Sequence, residues 1–407
     1  MSHSDKRQQV IAPVCAMLLV TAGSLPEEGP MAVFWTAPAI LISAMLIAWA
    51  AESAQYFMAQ GVALAILAWL QTLPEFAVEA VFAWKQQVPL LMAGLTGALR
   101  LLTGLGWPMI YFTAAMFYRR RRRGHLREIR LADEHSVEVI GLIASMAYAY
   151  YVWWSGTLGL IDGAILIAIY IVYLVVLSRM PAKEHEGIED MERIPRAIVT
   201  ASRPVRIAAI TGLFVMGGGI IYLAAEPFLG SLLAVSTALG IPVFVFVQWV
   251  APFVSEFPEK VSAFYWARTV EGASTALMNM ISSNINQWTL LTAMLPIVYS
   301  ISRGAVSAIP LDGEQEIELL LTLAQALLGA MFLLEMRFQW WEAAGLFVLW
   351  LVQFVLSPVA KVHEYFTFAY FAWAAVDLVL IFAGKRQATA FRCFGVMWKS
   401  HIRRAIK

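Results

Sequence analysis

Long apolar stretches bounded by charged residues dominate this sequence and constrain what it can fold into. Of its 407 residues, 60% are hydrophobic and only 14% are charged, whereas a soluble domain is about 25% charged. Since one membrane-spanning helix needs about 20 apolar residues, we predict an all-α polytopic membrane protein with about 12 spans. The composition excludes a disordered, fibrous or nucleic-acid-binding protein and disfavours a soluble enzyme.

The first of the apolar runs has two interpretations. Val10–Gly23 is short and follows Lys6 and Arg7, so it is either a membrane anchor or the apolar region of a signal peptide. The predicted spans are 9–23, 31–51, 58–84, 89–117, 136–154, 157–178, 205–225, 232–250 continuing to 268, 273–300, 316–335, 340–357 and 364–383.

Lysine and arginine clusters predict the orientation of the chain, because cytoplasmic loops carry an excess of these residues. Three segments are basic: Arg119–Arg123, the loop 179–206 and the tail Lys385–Lys407. Placing them in the cytoplasm puts both termini there, and anionic lipid explains the arginine run better than nucleic acid does. The connections predicted on the other side contain Glu27 and Glu28, the turn Gly156-Thr157, and the acidic group Asp312, Glu314, Glu316 and Glu318.

Motifs of several other functional classes are missing from the sequence. Cys15 and Cys393 lie at opposite ends, so they form neither a disulfide framework nor a CxxC metal motif. No HExxH pair and no GxxxxGK[ST] loop is present. The sequence therefore gives no support for a zinc hydrolase or for ATP-driven transport.

The loop 179–206 divides the chain into two halves that share a Pro-Glu motif. Leu70–Glu79 in the first half aligns without a gap with Val254–Ser262 in the second, at an offset of 184 residues. Such internal repeats are common in secondary transporters. At this offset Pro74 aligns with Pro258, Glu75 with Glu259 and, in the next span, Thr103 with Gln287.

The chemistry of this motif predicts a cation site. Proline bends a membrane helix and frees backbone carbonyls, and an ionised side chain there costs about 2.5–3.5 kcal/mol unless it is compensated. Glu75 and Glu79 share one helix face, and so do Glu256 and Glu259. A single glutamate of this kind can simply bond to another helix, but two at matching positions favour a cation site. The neighbouring span adds Asn279, Ser282, Ser283, Asn284 and Gln287, which offer the oxygen ligands that hard cations prefer.

At these residues the sequence resembles the cation/calcium exchanger superfamily, over residues 61–117 and 241–300. Gln71–Glu75 and Ser255–Glu259 look like its T-S-L-P-E motifs, and Met278–Asn284 is similar to its G-N-x-x-G-S-N motif. The resemblance implies two inverted five-helix repeats with broken helices, here with an extra span at each end. The implied division is 1–30 (extra span or anchor), 31–178 (first repeat), 179–204 (cytoplasmic loop), 205–357 (second repeat) and 358–407 (extra span and basic tail).

The function implied by the resemblance is that of a secondary active antiporter, which is not an enzyme and exchanges calcium against sodium or protons by alternating access. It needs no cofactor, and its partners are the lipid bilayer and inorganic cations, not nucleic acid; the oligomeric state stays open. The absence of a long domain in loop 179–206 is typical of a compact transporter of a bacterial inner membrane. The implied cation ligands are Glu75 and Glu259 at the centre, with Glu79, Glu256, Thr72, Ser255, Asn279, Ser283, Asn284 and Gln287 in support.

Some residues depart from the family pattern. Arg100 stands where the family has asparagine. If its guanidinium lies within hydrogen-bond reach of Glu75 or Glu79, it occupies a cation subsite and favours an alternative function as a non-transporting or sensor protein locked by an arginine–glutamate pair. If it points to the lipid interface, ordinary exchange is favoured. Glu256 replaces a family serine and favours proton coupling, because clustered carboxylates hold protons more readily. The segment Ser24-Leu25-Pro26-Glu27-Glu28 also resembles the motif, but it lies in a polar connection and is not predicted as a site. Glu52 and Glu226 are expected at the membrane interface.

Overall fold

The computed structural model describes residues 29–57, 72–122, 124–180, 191–357, 359 and 361–402. The predicted first span 9–23, the Ser24–Glu28 segment and Gln71 lie outside these ranges. Most of the chain within them is helical, which confirms the all-α polytopic fold.

Within the described residues, the first half contains six helices. Three of them stand out as long single crossings, and two others join end to end through a π-helical turn at Leu102–Gly106. A short 3-10 turn at Pro30–Ala32 leads into the first helix, and another, Asp133–His135, into the fifth. The helices are α1 (Val33–Gln55), α2 (Leu73–Trp84), α3 (Val88–Leu101), α4 (Trp107–Arg122), α5 (Ser136–Ser155) and α6 (Leu160–Leu177).

The second half repeats this order after a short helix, α7 (Arg193–Thr200). Its π-helical turn, Gln287–Leu291, joins two helices as in the first half. The helices are α8 (Arg203–Leu239), α9 (Val243–Ser255), α10 (Phe257–Trp266), α11 (Val270–Asn286), α12 (Thr292–Arg303), α13 (Gly313–Leu333) and α14 (Trp340–Val355). An extra span, α15 (Val362–Phe382), follows, and then α16 (Thr389–Met397) with a π turn at Trp398–Ile402.

Four short strands show that the two halves interlock. β1 (Glu128–Arg130) pairs with β4 (Arg337–Gln339), and β2 (Thr157–Leu158) pairs with β3 (Ile309–Pro310), both antiparallel. Each pair therefore joins one strand from each half. The connections that carry β1 and β4 consequently lie on one side of the membrane, and those that carry β2 and β3 lie on the other, as an inverted repeat requires.

The predicted break in the second half is present. Helix α9 ends at Ser255 and α10 begins at Phe257, with Glu256 between them at φ −92° and ψ 0°. Pro258 stands in the first turn of α10, as Pro74 does in α2. Proline fits this position because the first turn has no intrahelical partner for its missing amide hydrogen.

The prediction for the start of the second half was wrong. The spans 205–225 and 232–250 were separated at Glu226-Pro227, but α8 continues through Pro227 for 37 residues. The hydrocarbon offers the backbone no water to bond, so a helix tolerates proline there rather than unfolding. At about 1.5 Å per residue, α8 is about 55 Å long and therefore longer than the hydrocarbon layer is thick. It packs along α1, where Ser43 Oγ donates to the Gly217 carbonyl at 2.7 Å.

The acidic group at residues 312–318 was also misplaced. Asp312 caps α13, accepting hydrogen bonds from the Glu314 and Gln315 amides at 3.2 and 3.3 Å. Glu318 therefore lies inside the helix and is 3% exposed, not in a polar connection. An N-terminal cap and acidic residues in the first turn are typical of a helix start.

Candidate ion-binding site

Two helix starts, one in each half, bring four glutamates into the protein interior. Glu75 lies in the first turn of α2 and Glu259 in the first turn of α10. Glu79 follows one turn later in α2, and Glu256 stands at the break before α10. All four are only 2–3% exposed, and Glu75 lies within electrostatic reach of the other three. The structure thus brings the predicted glutamates of both repeats together.

Gln287 joins the two groups of glutamates. Its amide nitrogen donates to Glu75 Oε2 at 2.7 Å and to Glu256 Oε1 at 2.8 Å. The residue opens the π-helical turn Gln287–Leu291, and such turns occur frequently at functional sites. One amide from the second half therefore bridges a carboxylate of each repeat.

Three carboxylate oxygens in this cluster have no hydrogen-bond partner among the described residues: Glu75 Oε1, Glu79 Oε2 and Glu259 Oε1. A buried acceptor without a partner is costly, so these oxygens are placed to accept a cation or a proton. Within the same described ranges, no three His, Cys, Asp or Glu side chains form a compact metal centre.

Lys260 is a site residue that sequence reasoning missed. Its ammonium nitrogen lies 2.5 Å from Glu256 Oε2, and the residue is 5% exposed. The spacing of four residues from Glu256, together with its place beside Glu259, was the available signal, because residues four apart on a helix are neighbours. The positively charged side chain in this cluster is therefore Lys260 and not Arg100.

The polar residues predicted as supporting ligands divide into two groups. Thr72 and Ser283 lie beside the glutamates: Asn286 Nδ2 donates to Thr72 Oγ1 at 2.5 Å, and Ser283 faces Glu259. Asn286 was not predicted.

Of the remaining predicted ligands, two bond to other groups and one is buried. Ser255 Oγ donates to the Ala251 carbonyl at 3.0 Å, and Asn284 Oδ1 accepts from Trp107 Nε1 at 3.1 Å. Asn279 is buried in α11, 1% exposed.

Gly94 on α3 shapes the pocket around Glu79. A Cβ atom on Gly94 would overlap Glu79 Oε1. Gly97, one turn further along α3, lies so close to α9 that its Cβ would overlap the Gln248 carbonyl oxygen. Glycine at these two positions lets the glutamate and the neighbouring helix approach the α3 backbone.

Arg100 lies at neither of the two positions that the sequence suggested, the glutamate site and the lipid interface. Its Nη1 lies 2.6 Å from Glu318 Oε2 on α13, and the arginine is 0% exposed. His363 of α15 bonds to the other oxygen of Glu318, and Gln248 Nε2 donates to Glu318 Oε2 at 2.7 Å. Arg100 therefore belongs to a second buried charge cluster, because a carboxylate on α13 compensates it outside the four-glutamate group.

The two glutamates expected at the interface differ from one another. Glu226 is exposed and pairs with Lys85 at 2.6 Å, as expected of an interfacial residue. Glu52 is instead 6% exposed. It stands in the last turn of α1, and α7 packs against α1.

Comparisons with known proteins identify the family and the fold of the chain. A family model described as sodium/calcium exchanger protein matches residues 31–179 and 209–358. A crystal structure of the H+/Ca2+ exchanger CAX is similar to this chain with a TM-score of 0.87 and 30% identity, over 98% of this chain and 99% of that one. No curated protein matches the sequence.

More distant structures share the fold. The sodium-calcium exchanger NCX_Mj, soaked with 100 mM Na+ and 10 mM Sr2+, gives a TM-score of 0.53 at 17% identity, over 80% of this chain and 97% of that one. Native YfkE gives 0.54 at 12% identity, over 89% and 100%.

The fold and the buried acidic site together define a polytopic membrane antiporter of cations, not an enzyme. The chain belongs to the sodium/calcium exchanger protein family.

Proposed function

We propose that this antiporter exchanges calcium against protons by alternating access, with Glu75 and Glu259 as the central ligands of the transported cation. The observation that carries the proposal is the set of buried, unpartnered oxygens on Glu75, Glu79 and Glu259. Carboxylate oxygens are the preferred ligands of calcium. Thr72, Ser283, Asn279 and Gln287 support the site, while Ser255, Asn284 and Glu256 hold its helices and side chains in place.

Charge balance supports protons as the coupling ion. Four carboxylates face one ammonium group, so the cluster carries about three uncompensated negative charges when all four are ionised. Once a cation leaves, like charges held this close favour the uptake of protons. The similarity to the H+/Ca2+ exchanger CAX, at 30% identity, points the same way.

The alternative of a locked, non-transporting protein required Arg100 to pair with Glu75 or Glu79. Arg100 pairs with Glu318 instead, so the alternative loses the observation that motivated it. Arg100 is then a structural cation that ties α3 to α13.

The proposed orientation places the β1–β4 side of the protein in the cytoplasm of a bacterial-type cell, together with both termini. That side carries Arg119, Arg120, Arg127, Arg337 and Arg392, in agreement with the excess of basic residues in cytoplasmic loops. A cysteine at exposed Val306 should then react in intact cells with a membrane-impermeant thiol reagent, whereas one at exposed Gln387 should react only after lysis. The reverse pattern would contradict the orientation.

The coupling ion is tested with purified protein in proteoliposomes and calcium outside. One set of vesicles has an acidic interior without sodium, and a second is sodium-loaded without a pH gradient. We expect calcium uptake in the first set only. Uptake in the sodium-loaded set would contradict proton coupling, and no uptake in either set would contradict calcium as the substrate.

A further inference from the structure

The pair formed by Glu256 and Lys260 breaks the symmetry between the two halves. At the repeat offset of 184 residues, Glu256 corresponds to Thr72 and Lys260 to Phe76. At these two positions the second half has an acid and a base where the first half has neither, while Glu79 of the first half corresponds to Ala263. Because the two charges cancel, the pair leaves the net charge of the site unchanged.

The hydrogen bonds of Glu256 distinguish it from the other glutamates. Lys260 Nζ lies 2.5 Å from Oε2, and Gln287 Nε2 lies 2.8 Å from Oε1. Both oxygens of Glu256 are therefore bound by donors of the protein. Glu75 and Glu259 each keep one oxygen without a partner in the part of the chain that the structure describes. Glu256 is thus the carboxylate with one oxygen bound by a positively charged group and the other by a neutral amide.

We infer that the Lys260 ammonium acts as a tethered monovalent cation that occupies the subsite of Glu256 and excludes sodium from it. Lys260 is therefore a specificity-determining residue. The inference rests on the proposed function, since it explains why the site takes calcium and protons but not sodium.

The physical argument is one of compensation. A buried carboxylate that loses its partner is strongly destabilised, and a cation from solution relieves that cost when it enters. An ammonium attached to the same chain is always present, so dissolved sodium must displace it to bind. An arginine at this position keeps the charge and should keep sodium out, whereas a neutral side chain of similar length leaves the subsite open.

The test measures proton-driven calcium uptake at increasing sodium concentration, with choline replacing sodium. Wild type and Lys260→Arg should be indifferent to sodium. Lys260→Met should be inhibited by sodium at a concentration at least ten-fold lower than any that affects wild type. In the double variant Glu256→Gln/Lys260→Met the vacant carboxylate is gone, and indifference to sodium should return.

A second readout does not depend on transport: binding of radioactive sodium to the purified proteins in detergent. Lys260→Met should bind one more sodium ion than wild type and the double variant should not, with Lys260→Gln as the substitute if Lys260→Met does not fold. A Lys260→Met protein that neither binds nor responds to sodium would overturn the inference, as would a double variant that stays sodium-sensitive. Sodium-driven uptake by wild type would contradict the proposed coupling and the inference together. Loss of calcium uptake alone would contradict only the proposed function, because sodium binding is still measured.

Discussion

Gln287 Nε2 lies 2.7 Å from Glu75 Oε2, and this bond ties the second repeat to the central carboxylate of the first. Among the described residues, the equivalent position of the first repeat makes no such bond to a glutamate of the second repeat. Thr103 occupies the equivalent position of the first repeat, and its hydroxyl donates to the Leu99 carbonyl of its own helix at 3.1 Å. The two repeats therefore contribute unequally to a site built on an internal symmetry.

The first prediction concerns Gln287→Leu. It removes the donor shared by Glu75 and Glu256, and a hydrogen bond to a charged group contributes about 1.5–3 kcal/mol. We expect calcium uptake to fall by at least about ten-fold, since 1.4 kcal/mol is a factor of ten. The matched control is Gln353→Leu, because the buried side chain of Gln353 has no hydrogen-bond partner within the described ranges. Equal activity of the two variants would contradict a role for the bridging amide.

The second prediction concerns Gly94→Ala. Its Cβ would overlap Glu79 Oε1, so the carboxylate must move away from α3. We expect a large loss of calcium uptake with little change in the thermal unfolding midpoint, because a side chain and not the backbone is displaced. Gly218→Ala on α8 is the control, since a Cβ there meets nothing within 4 Å. Full uptake by Gly94→Ala would show that the position of Glu79 is unimportant.

The third prediction concerns the buried Arg100–Glu318 pair. Glu318→Gln leaves the Arg100 charge uncompensated, and breaking such a pair typically costs about 3–5 kcal/mol. We expect a marked drop in the unfolding midpoint of the purified protein, partly recovered in Arg100→Met/Glu318→Leu. Glu226→Gln is the control because it breaks an exposed pair with Lys85, and such pairs contribute about 0–1 kcal/mol. Equal effects of the two single substitutions would contradict the structural role of Arg100.

The Pro-Glu motif made much of the fold and site predictable from the sequence. Proline and a membrane-buried carboxylate each impose a local requirement, so Pro74 with Glu75 and Pro258 with Glu259 pointed to two helix starts that carry buried glutamates. The role of these glutamates as central ligands stays a prediction. One error arose because the partner is distant in sequence. Arg100 pairs with Glu318 on α13. No motif in the sequence around either residue indicates that the two side chains meet.

The length of α8 was unpredictable for another reason. In water, a proline such as Pro227 usually ends a helix. In lipid the freed backbone groups have no alternative partner, and the helix continues. The Asp312–Glu318 stretch was predicted as a polar connection because it is rich in acidic residues. In the structure Asp312 caps α13, and Glu314 and Glu316 lie in its first turn.

The fourth prediction concerns Glu335, which lies between α13 and β4 outside the membrane. Burial alone would raise the pKa of Glu335, but hydrogen bonds from Arg337 and from the Gln387 amide outweigh it and hold the pKa below its ordinary value of 4.5. A lowered pKa stabilises the folded state above the ordinary pKa, and this stability is lost as pH falls through the lowered value. We therefore expect the unfolding midpoint of wild type to decline below pH 4.5 more steeply than that of Glu335→Gln.

The control for this prediction is Glu314→Gln, because Glu314 is exposed in the first turn of α13. Its unfolding midpoint should follow the wild-type pH dependence. A Glu335→Gln protein with the same acid dependence as wild type would show that the Arg337 and Gln387 contacts do not stabilise the ionised carboxylate.

The central claim is that Glu75 and Glu259 bind the transported cation jointly. Equilibrium binding of radioactive calcium to purified wild type, Glu75→Gln and Glu259→Gln tests it most directly, with exposed Glu271→Gln on α11 as the control. The account predicts saturable binding by wild type and Glu271→Gln, and loss of binding in both site variants while their unfolding midpoints show that they remain folded. Wild-type calcium affinity in either Glu75→Gln or Glu259→Gln would contradict it.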